Sequence, residues 1–207
     1  MSAFLTVAIV HLLGVMSPGP DFAIVTRNSL SYSRKTGIIT AAGIALGLQV
    51  HVLYSLLGIG LLISRSIVLF SIIKYLGAAY LIYIGWKALT AKKAEADHTV
   101  IEKEEKDISP LQAFRNGFLC NVLNPKATLF MLALFTQVID PTTPLAIQGF
   151  YGVYMGLATF VWFSFLASVF SLSIIKRTFE RAQTLIERTM GAVLIGLGIK
   201  VALAARD

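Results

Sequence analysis

The sequence predicts an all-α polytopic membrane protein whose six transmembrane helices form an inverted 3+3 repeat. Three observations support this fold class: an apolar composition, an uneven distribution of basic residues and an internal sequence repeat. Hydrophobic residues make up 56% of the chain and charged residues only 14%, and the mean hydropathy is +0.75. A soluble domain carries far more charge, so the composition indicates that lipid is the solvent for most of the surface.

Long uncharged segments locate the spanning helices. Residues 36–64 and 141–175 contain no formally charged side chain, and about 20 apolar residues suffice to cross the hydrocarbon core. The first segment lacks the basic start and the cleavage site of a secretory signal, so it is interpreted as a mature helix. The fourth helix reaches across only if it includes Asn124 and Lys126. The six helices are expected near residues 3–25, 38–62, 67–89, 117–139, 145–172 and 184–205.

Basic residues predict the orientation of these helices. The connections after helices one, three and five hold thirteen of the eighteen lysines and arginines, whereas the connections after helices two and four hold only Arg65. Because basic loops stay in the cytoplasm, we expect a multi-pass protein of the inner (plasma) membrane with both termini outside. The net charge of +7 then follows from topology, and no nucleic-acid partner is expected.

A charged linker divides the chain into two halves of similar pattern. We expect a first three-helix repeat over residues 1–90, a cytoplasmic linker over 91–115 and a second three-helix repeat over 116–207. Each half has an odd number of helices, so the second half inserts upside down relative to the first. Residues Gly43, Gly47, Leu48, Val52 and Ser55 recur at a constant offset as Gly152, Gly156, Leu157, Val161 and Ser164.

Proline interrupts the first helix of each half. Pro18, Gly19 and Pro20 break helix one, and Pro125 breaks helix four. A proline lacks the backbone donor and clashes with the carbonyl four residues earlier, so the carbonyls of Gly14, Met16 and Asn121 are expected to become available as ligands. Glycine lets the chain turn between the two prolines. By residue counting, both breaks fall toward the cytoplasmic half of their helices.

An ionisable side chain accompanies each break. An aspartate costs on the order of 3 kcal/mol at the centre of a spanning helix, which indicates a role or a buried partner for Asp21. Lys126 is its natural counter-charge. The two residues act either as a fixed ion pair or as separate receptors for the ammonium and carboxylate of a zwitterion. An unpaired Asp21 would also load and release a proton, which would produce proton-coupled antiport.

Polar residues of helix two are further candidates for the site. Gln49 and His51 lie near its centre, where either would bind substrate or relay a proton, while His11 is more typical of a packing residue. Cys120 is the only cysteine, so no intrachain disulfide forms. No metal-ligand spacing, nucleophile elbow or phosphate loop occurs, so neither an enzyme nor a bound cofactor is expected.

The pattern as a whole resembles the LysE/RhtB family of bacterial amino-acid exporters. The motifs that carry this resemblance are S-P-G-P-D at residues 17–21, the G-x-x-x-G of helix two, the charged central linker and L-N-P-K at 123–126, and it covers essentially all 207 residues. The segment from T-V-A-I-V-H to S-x-S-R-K looks most like the homoserine/threonine branch. The resemblance implies a transport core formed by Pro18, Gly19, Pro20, Asp21, Asn124, Pro125 and Lys126.

The resemblance also implies a function: export of a small neutral amino acid, such as threonine or homoserine, driven by the proton motive force. In this hypothesis Asp21 binds the ammonium or a proton, and the carboxylate meets Lys126, Asn124 and the N–H groups of the half-helix. The alternative on the same scaffold is a cation or metal exporter, although His11 and His51 are its only histidines within the membrane. A homo-oligomer is compatible with the glycine-rich helix faces.

Overall fold

A computed structural model describes residues 3–65, 67–90, 106–139 and 142–170, together with positions 188, 189, 191, 192, 194–196, 198 and 199. Every regular element among these residues is an α-helix. The described positions from 188 to 199 are helical as well, but most of the predicted sixth helix and linker residues 91–105 lie outside the described residues. The helices are α1 (Ala3–Met16), α2 (Pro20–Ser31), α3 (Arg34–Arg65), α4 (Ile67–Leu89), α5 (Pro110–Val122), α6 (Pro125–Gln137) and α7 (Leu145–Phe170).

Two pairs of helices are bent at a proline break, as the prolines predict. The axes of α1 and α2 differ by 57°, and so do those of α5 and α6. Proline occupies the first turn of α2, α5 and α6, where its missing N–H would have no intrahelical partner in any case. Within the described residues, α3 and α7 are long and apolar enough to cross a membrane, and the number is four if each bent pair counts as one span.

The breaks lie closer to the middle of their helix pairs than residue counting predicted. The first pair divides into 14 and 12 residues, and the second into 13 and 13. The predicted ends at residues 25 and 117 were wrong, because polar residues continue both helices. Asn28, for example, is buried within α2 and donates a hydrogen bond to Thr40 Oγ1 of α3 at 2.9 Å.

Two apolar clusters pack α3 and α7 against the bent pairs. Along α3, Ala41 and Ile44 belong to one cluster, whereas Leu48 and Val52 belong to the other. Along α7, Tyr151 and Met155 belong to the cluster of Leu48 and Val52, whereas Phe163 belongs to the cluster of Ala41 and Ile44. Each of these two long helices therefore contributes to both clusters.

Glycines bring α3 close to its neighbours, as the G-x-x-x-G pattern predicts. A β-carbon at Gly43 would overlap the carbonyl of Phe114 on α5, and one at Gly117 of α5 would overlap the carbonyl of Thr40. Gly152 and Gly156 of α7 pack in the same way on Val52 and Gln49 of α3. The backbones of α3 and α5 are thus in direct contact beside the second break.

This contact makes Gly117→Ala destabilising. The added methyl group would meet backbone, which cannot move aside as a side chain can, and overpacking typically costs about 1–3 kcal/mol. We expect a lower midpoint of thermal unfolding for the purified protein in detergent. Gly149→Ala is the matched control, because nothing lies within 4 Å of its β-carbon position. An unfolding midpoint for Gly117→Ala equal to that of the control would contradict the packing.

Candidate functional site

A cavity lies where the two helix breaks meet. The space open to the centres of water molecules is ≈ 50 Å³, and a single water needs roughly 10–15 Å³. The cavity therefore has room for several waters or one small molecule. Both breaks, the helices that flank them, and two other helices, α3 and α7, contribute to the wall. The lining residues are His11, Gly14, Val15, Ser17, Gly19, Asp21, Phe22, Leu48, Asn121, Asn124, Lys126, Ala127, Phe130, Met131, Thr159 and Phe163.

Asp21 stands in the first turn of α2, where a carboxylate is favoured by the positive end of the helix dipole. Its Oδ2 accepts hydrogen bonds from Asn121 Nδ2 at 2.9 Å and from Asn124 Nδ2 at 3.2 Å. Its Oδ1 is buried and has no hydrogen-bond partner among the described residues. The carboxylate of the first break is therefore held by two amides of the second, with one oxygen left over.

Asn124 performs two tasks at the second break. Its Oδ1 accepts from the backbone N–H of Lys126 at 3.0 Å, which makes it the N-cap of α6. Because this cap uses the amide oxygen, the amide nitrogen faces Asp21. The local sequence N-P-K thus both starts α6 and orients a donor toward the carboxylate.

Lys126 extends from α6 to the first break. Its Nζ donates to Ser17 Oγ at 2.6 Å, to the carbonyl of Pro18 at 3.0 Å and to the carbonyl of Ser17 at 3.2 Å. The carbonyls that bind a cation here are therefore those of Ser17 and Pro18. The expectation for Gly14 was wrong, since its carbonyl accepts the N–H of Ser17 at 3.3 Å and so closes the end of α1.

Gly19 has a different role from the one the sequence suggested. Its backbone is extended, with φ 179° and ψ −171°, so it does not form a turn between the prolines. A β-carbon at this position would lie 3.3 Å from Lys126 Nζ. Glycine therefore leaves room for the ammonium beside the backbone of the break, and a methyl group here would press on it.

His51 forms a hydrogen bond with the carbonyl of Asn121. Pro125, four residues later, has no N–H to donate to this carbonyl. The Nε2 of His51 lies 2.9 Å from the carbonyl oxygen of Asn121, and its Nδ1 lies 2.7 Å from Tyr54 Oη. A carbonyl only accepts, so Nε2 carries the proton and Nδ1 accepts from the tyrosine hydroxyl. His51 does not line the cavity; it holds the backbone of the residue that binds Asp21.

Gln49 belongs to the contact between α3 and α7. Its Nε2 donates to the carbonyl of Gly152 on α7 at 3.2 Å, and it is not part of the cavity wall. Of the residues selected from sequence, Gly19, Asp21, Asn124 and Lys126 meet at the cavity, and the prolines create the two breaks. His51 stands behind this group, and Gln49 joins α3 to α7.

Sequence reasoning missed four polar residues of the cavity: His11, Ser17, Asn121 and Thr159. Asn121 precedes Asn124 by three residues, the spacing that brings helical side chains to one face, so its selection was possible from sequence. Nothing local indicated Thr159 or its contact with His11 on α1. Among the described residues there is no group of three histidine, cysteine, aspartate or glutamate side chains able to hold a metal ion.

Comparison with known proteins extends these observations. The threonine efflux protein of Escherichia coli (strain K12) is 34% identical over 198 residues, which is 95% of each chain. That of Salmonella typhimurium (strain LT2) is 32% identical over 199 residues, covering 96% of this chain and 97% of the relative. A leucine efflux protein of Salmonella choleraesuis is 34% identical over 159 residues, 73% of this chain and 71% of its own. No solved structure matches the chain.

The two threonine efflux proteins align over 96% and 95% of this chain. The family model described as LysE type translocator matches residues 12–205. The resemblance noted in the sequence is therefore confirmed, and the bent spans and the apolar helices are those of a multi-pass membrane transporter. The chain belongs to the LysE type translocator family.

Proposed function

We propose that the protein exports a small neutral amino acid of the threonine or homoserine kind from the cytoplasm. One observation carries this proposal: an aspartate and a lysine on two facing helix breaks line a single cavity of small volume. A zwitterion needs one receptor of each charge in one place. The relatives named as threonine and leucine efflux proteins support an amino acid as the cargo.

The ammonium of the substrate would bind at the carboxylate end of the cavity. Asp21 Oδ1 and Asn121 Oδ1 are both acceptors, both buried, and both without a hydrogen-bond partner among the described residues. An unsatisfied buried acceptor costs about 1–3 kcal/mol. A substrate ammonium offers three donors, so binding would remove that cost at two acceptors together.

The carboxylate would bind at Lys126 and the start of α6. The first N–H groups of a helix have no intrahelical partner and carry positive dipole character, and Ala127 of this first turn lines the cavity. The Lys126 ammonium would exchange its acceptors at Ser17 and Pro18 for the substrate carboxylate. Substrate binding would then break the hydrogen bonds by which Lys126 connects the two breaks.

Transport then follows as alternating access by an inverted repeat. We infer six spans, with residues 1–90 and 116–207 as the two three-helix units, 91–115 as a cytoplasmic linker and both termini outside an inner membrane. The described contact between Gly85 of α4 and the carbonyl of Gly191, 2.6 Å from the glycine's β-carbon position, supports pairing of the third helices. Such folds rock one unit against the other around a central site.

Proton antiport is the proposed coupling. Asp21 would carry either a proton or the substrate ammonium, so each outward movement of substrate would return one proton to the cytoplasm. His51 and Gln49, proposed from sequence as proton relay or ligand residues, would instead support the site through Asn121 and α7. The alternative of a cation exporter has no support in the relatives, and the flux measurement below distinguishes it.

Asp21→Asn separates these possibilities in a reconstituted system. The measurement is flux of labelled threonine, homoserine, leucine and lysine in proteoliposomes with and without an imposed proton gradient. We expect the native chain to move threonine or homoserine faster under the gradient. Asp21→Asn should lose the gradient response, with flux reduced at least about tenfold, because the amide neither releases a proton nor pairs with an ammonium.

The matched control is Asp107→Asn, an exposed aspartate that accepts from Ser33 Oγ away from the cavity. It should retain the flux and the gradient response of the native chain. If no amino acid moves while the protein remains folded, the cargo class is wrong, and labelled monovalent and divalent cations are the next panel. Threonine flux that does not depend on the gradient would contradict proton antiport but not amino-acid export.

Asn124 offers a second test, because its cap and its bond to Asp21 are separable. Serine is a good N-cap residue, but its hydroxyl oxygen takes the place of the asparagine Cγ. It therefore stops one bond short of the amide nitrogen that donates to Asp21 at 3.2 Å. We expect the free energy of unfolding of Asn124→Ser to be about 1 kcal/mol higher than that of Asn124→Ala, because an N-cap residue usually contributes this much. Both variants should lose transport, and full transport in either would contradict a role for this donor.

A further inference from the structure

We propose that His11 and Thr159 form a second polar end of the cavity, which binds a hydroxyl on the side chain of the cargo. This inference rests on the proposed function and adds to it the chemistry that selects among neutral amino acids. His11 belongs to α1 and Thr159 to α7. Both line the cavity, and neither belongs to a helix break.

The two residues are in contact and fully enclosed. His11 Nε2 lies 3.3 Å from Thr159 Oγ1, and the relative exposures are 0% and 2%. The other imidazole nitrogen, Nδ1, is buried without a hydrogen-bond partner among the described residues. Buried polar atoms are nearly always hydrogen-bonded in proteins. Because His11 lines the cavity, water or a ligand there can supply the missing partner.

Thr159 differs from other described threonines whose hydroxyls donate within their own helix. The hydroxyls of Thr40, Thr128 and Thr136 each donate to the carbonyl four residues earlier, which is the usual solution for a threonine inside a helix. For Thr159, the contact with His11 is the only side-chain hydrogen bond among the described residues. Its hydroxyl is therefore directed out of α7 and toward the cavity.

The pair suits a hydroxyl in either imidazole tautomer. With the proton on Nδ1, Thr159 donates to Nε2, and the spare donor is Nδ1–H. With the proton on Nε2, Thr159 accepts, and the spare groups are its own O–H and the Nδ1 lone pair. A hydroxyl both donates and accepts, so it pairs with the spare group in both cases, whereas a methyl group pairs with none.

The distance between the two ends fits a small amino acid. His11 belongs to α1, and Ser17 directly follows the last residue of this helix. The six-residue separation between these positions corresponds to roughly 9 Å at the rise of an α-helix. Only a short molecule fits between the first break and the His11–Thr159 pair with one hydrogen bond at each of these two places. The wall between the ends is apolar, formed by Leu48, Val15, Phe130, Met131 and Phe163, and the ring of Phe130 fills the space beside Gly14.

Threonine and valine provide the sharpest comparison, because they have the same shape and differ in the hydroxyl. A site with polar groups for a hydroxyl leaves those groups unpaired when the analogue lacks it, which lowers the selectivity for that analogue. One hydrogen bond of this kind corresponds to about a tenfold preference. We therefore expect the native chain to prefer threonine over valine about tenfold in initial rate at low substrate concentration.

The test is the ratio of threonine to valine uptake in counterflow, measured in proteoliposomes for each variant. Thr159→Val should remove the preference, so that the ratio falls to about one while valine flux is retained. His11→Leu should act in the same direction. Thr136→Val is the matched control, since Thr136 is buried but donates to Leu132 of its own helix, and it should keep the native ratio.

Thr159→Ser guards against loss of folding, because it keeps the hydroxyl and should preserve the ratio. Equal rates for threonine and valine in the native chain would overturn the inference, and so would a native ratio in both Thr159→Val and His11→Leu. In each of these cases amino acids still move, so the proposed function stands. If the native chain moves neither amino acid, nor any other, the proposed function fails and the selective end fails with it.

Discussion

The structure depends on how backbone groups at two helix breaks are satisfied in an apolar protein. A break at membrane depth leaves carbonyl and N–H groups that lipid cannot bind. Here each break is completed by residues of other segments. Lys126 of the second break donates to Ser17 and Pro18 of the first, and Asp21 of the first accepts from Asn121 and Asn124 of the second. Neither break is complete without the other, which ties the two halves of the chain together at the cavity.

This mutual arrangement is incomplete on the side of Asp21 and Asn121, and both residues line the cavity. The ammonium of Lys126 has three oxygens around it, whereas Asp21 and Asn121 each retain a buried acceptor without a partner among the described residues. In the proposed transport cycle, a zwitterion would supply the missing donors to these acceptors and would offer the Lys126 ammonium an alternative acceptor. Stronger pairing within the protein would hold the breaks together and leave nothing for a substrate to replace.

Close helix packing supports this arrangement from behind. Gly43, Gly47 and Gly117 let the backbones of α3 and α5 touch, and this approach brings His51 within 2.9 Å of the Asn121 carbonyl. A larger residue at those glycines would move His51 away from the carbonyl that Pro125 releases. The glycines therefore act on the site through geometry, and the same approach of α7 to α3 accounts for the position of Gln49 beside Gly152.

The sequence by itself determined the features that depend on neighbours along the chain. Proline at the first position of a helix and asparagine before it are local signals, so both breaks and the cap at Asn124 were predictable, and the charge of Asp21 in an apolar segment marked it as unusual. The tertiary structure decided which partners meet: Asp21 with Asn121, Lys126 with Ser17, and His11 with Thr159 across 148 positions. Such contacts depend on helix rotation and tilt, which the packing of all the helices sets together. The extents of α2 and α5 were misjudged for the same reason, since buried polar residues such as Asn28 continue a helix only when a partner like Thr40 is in reach.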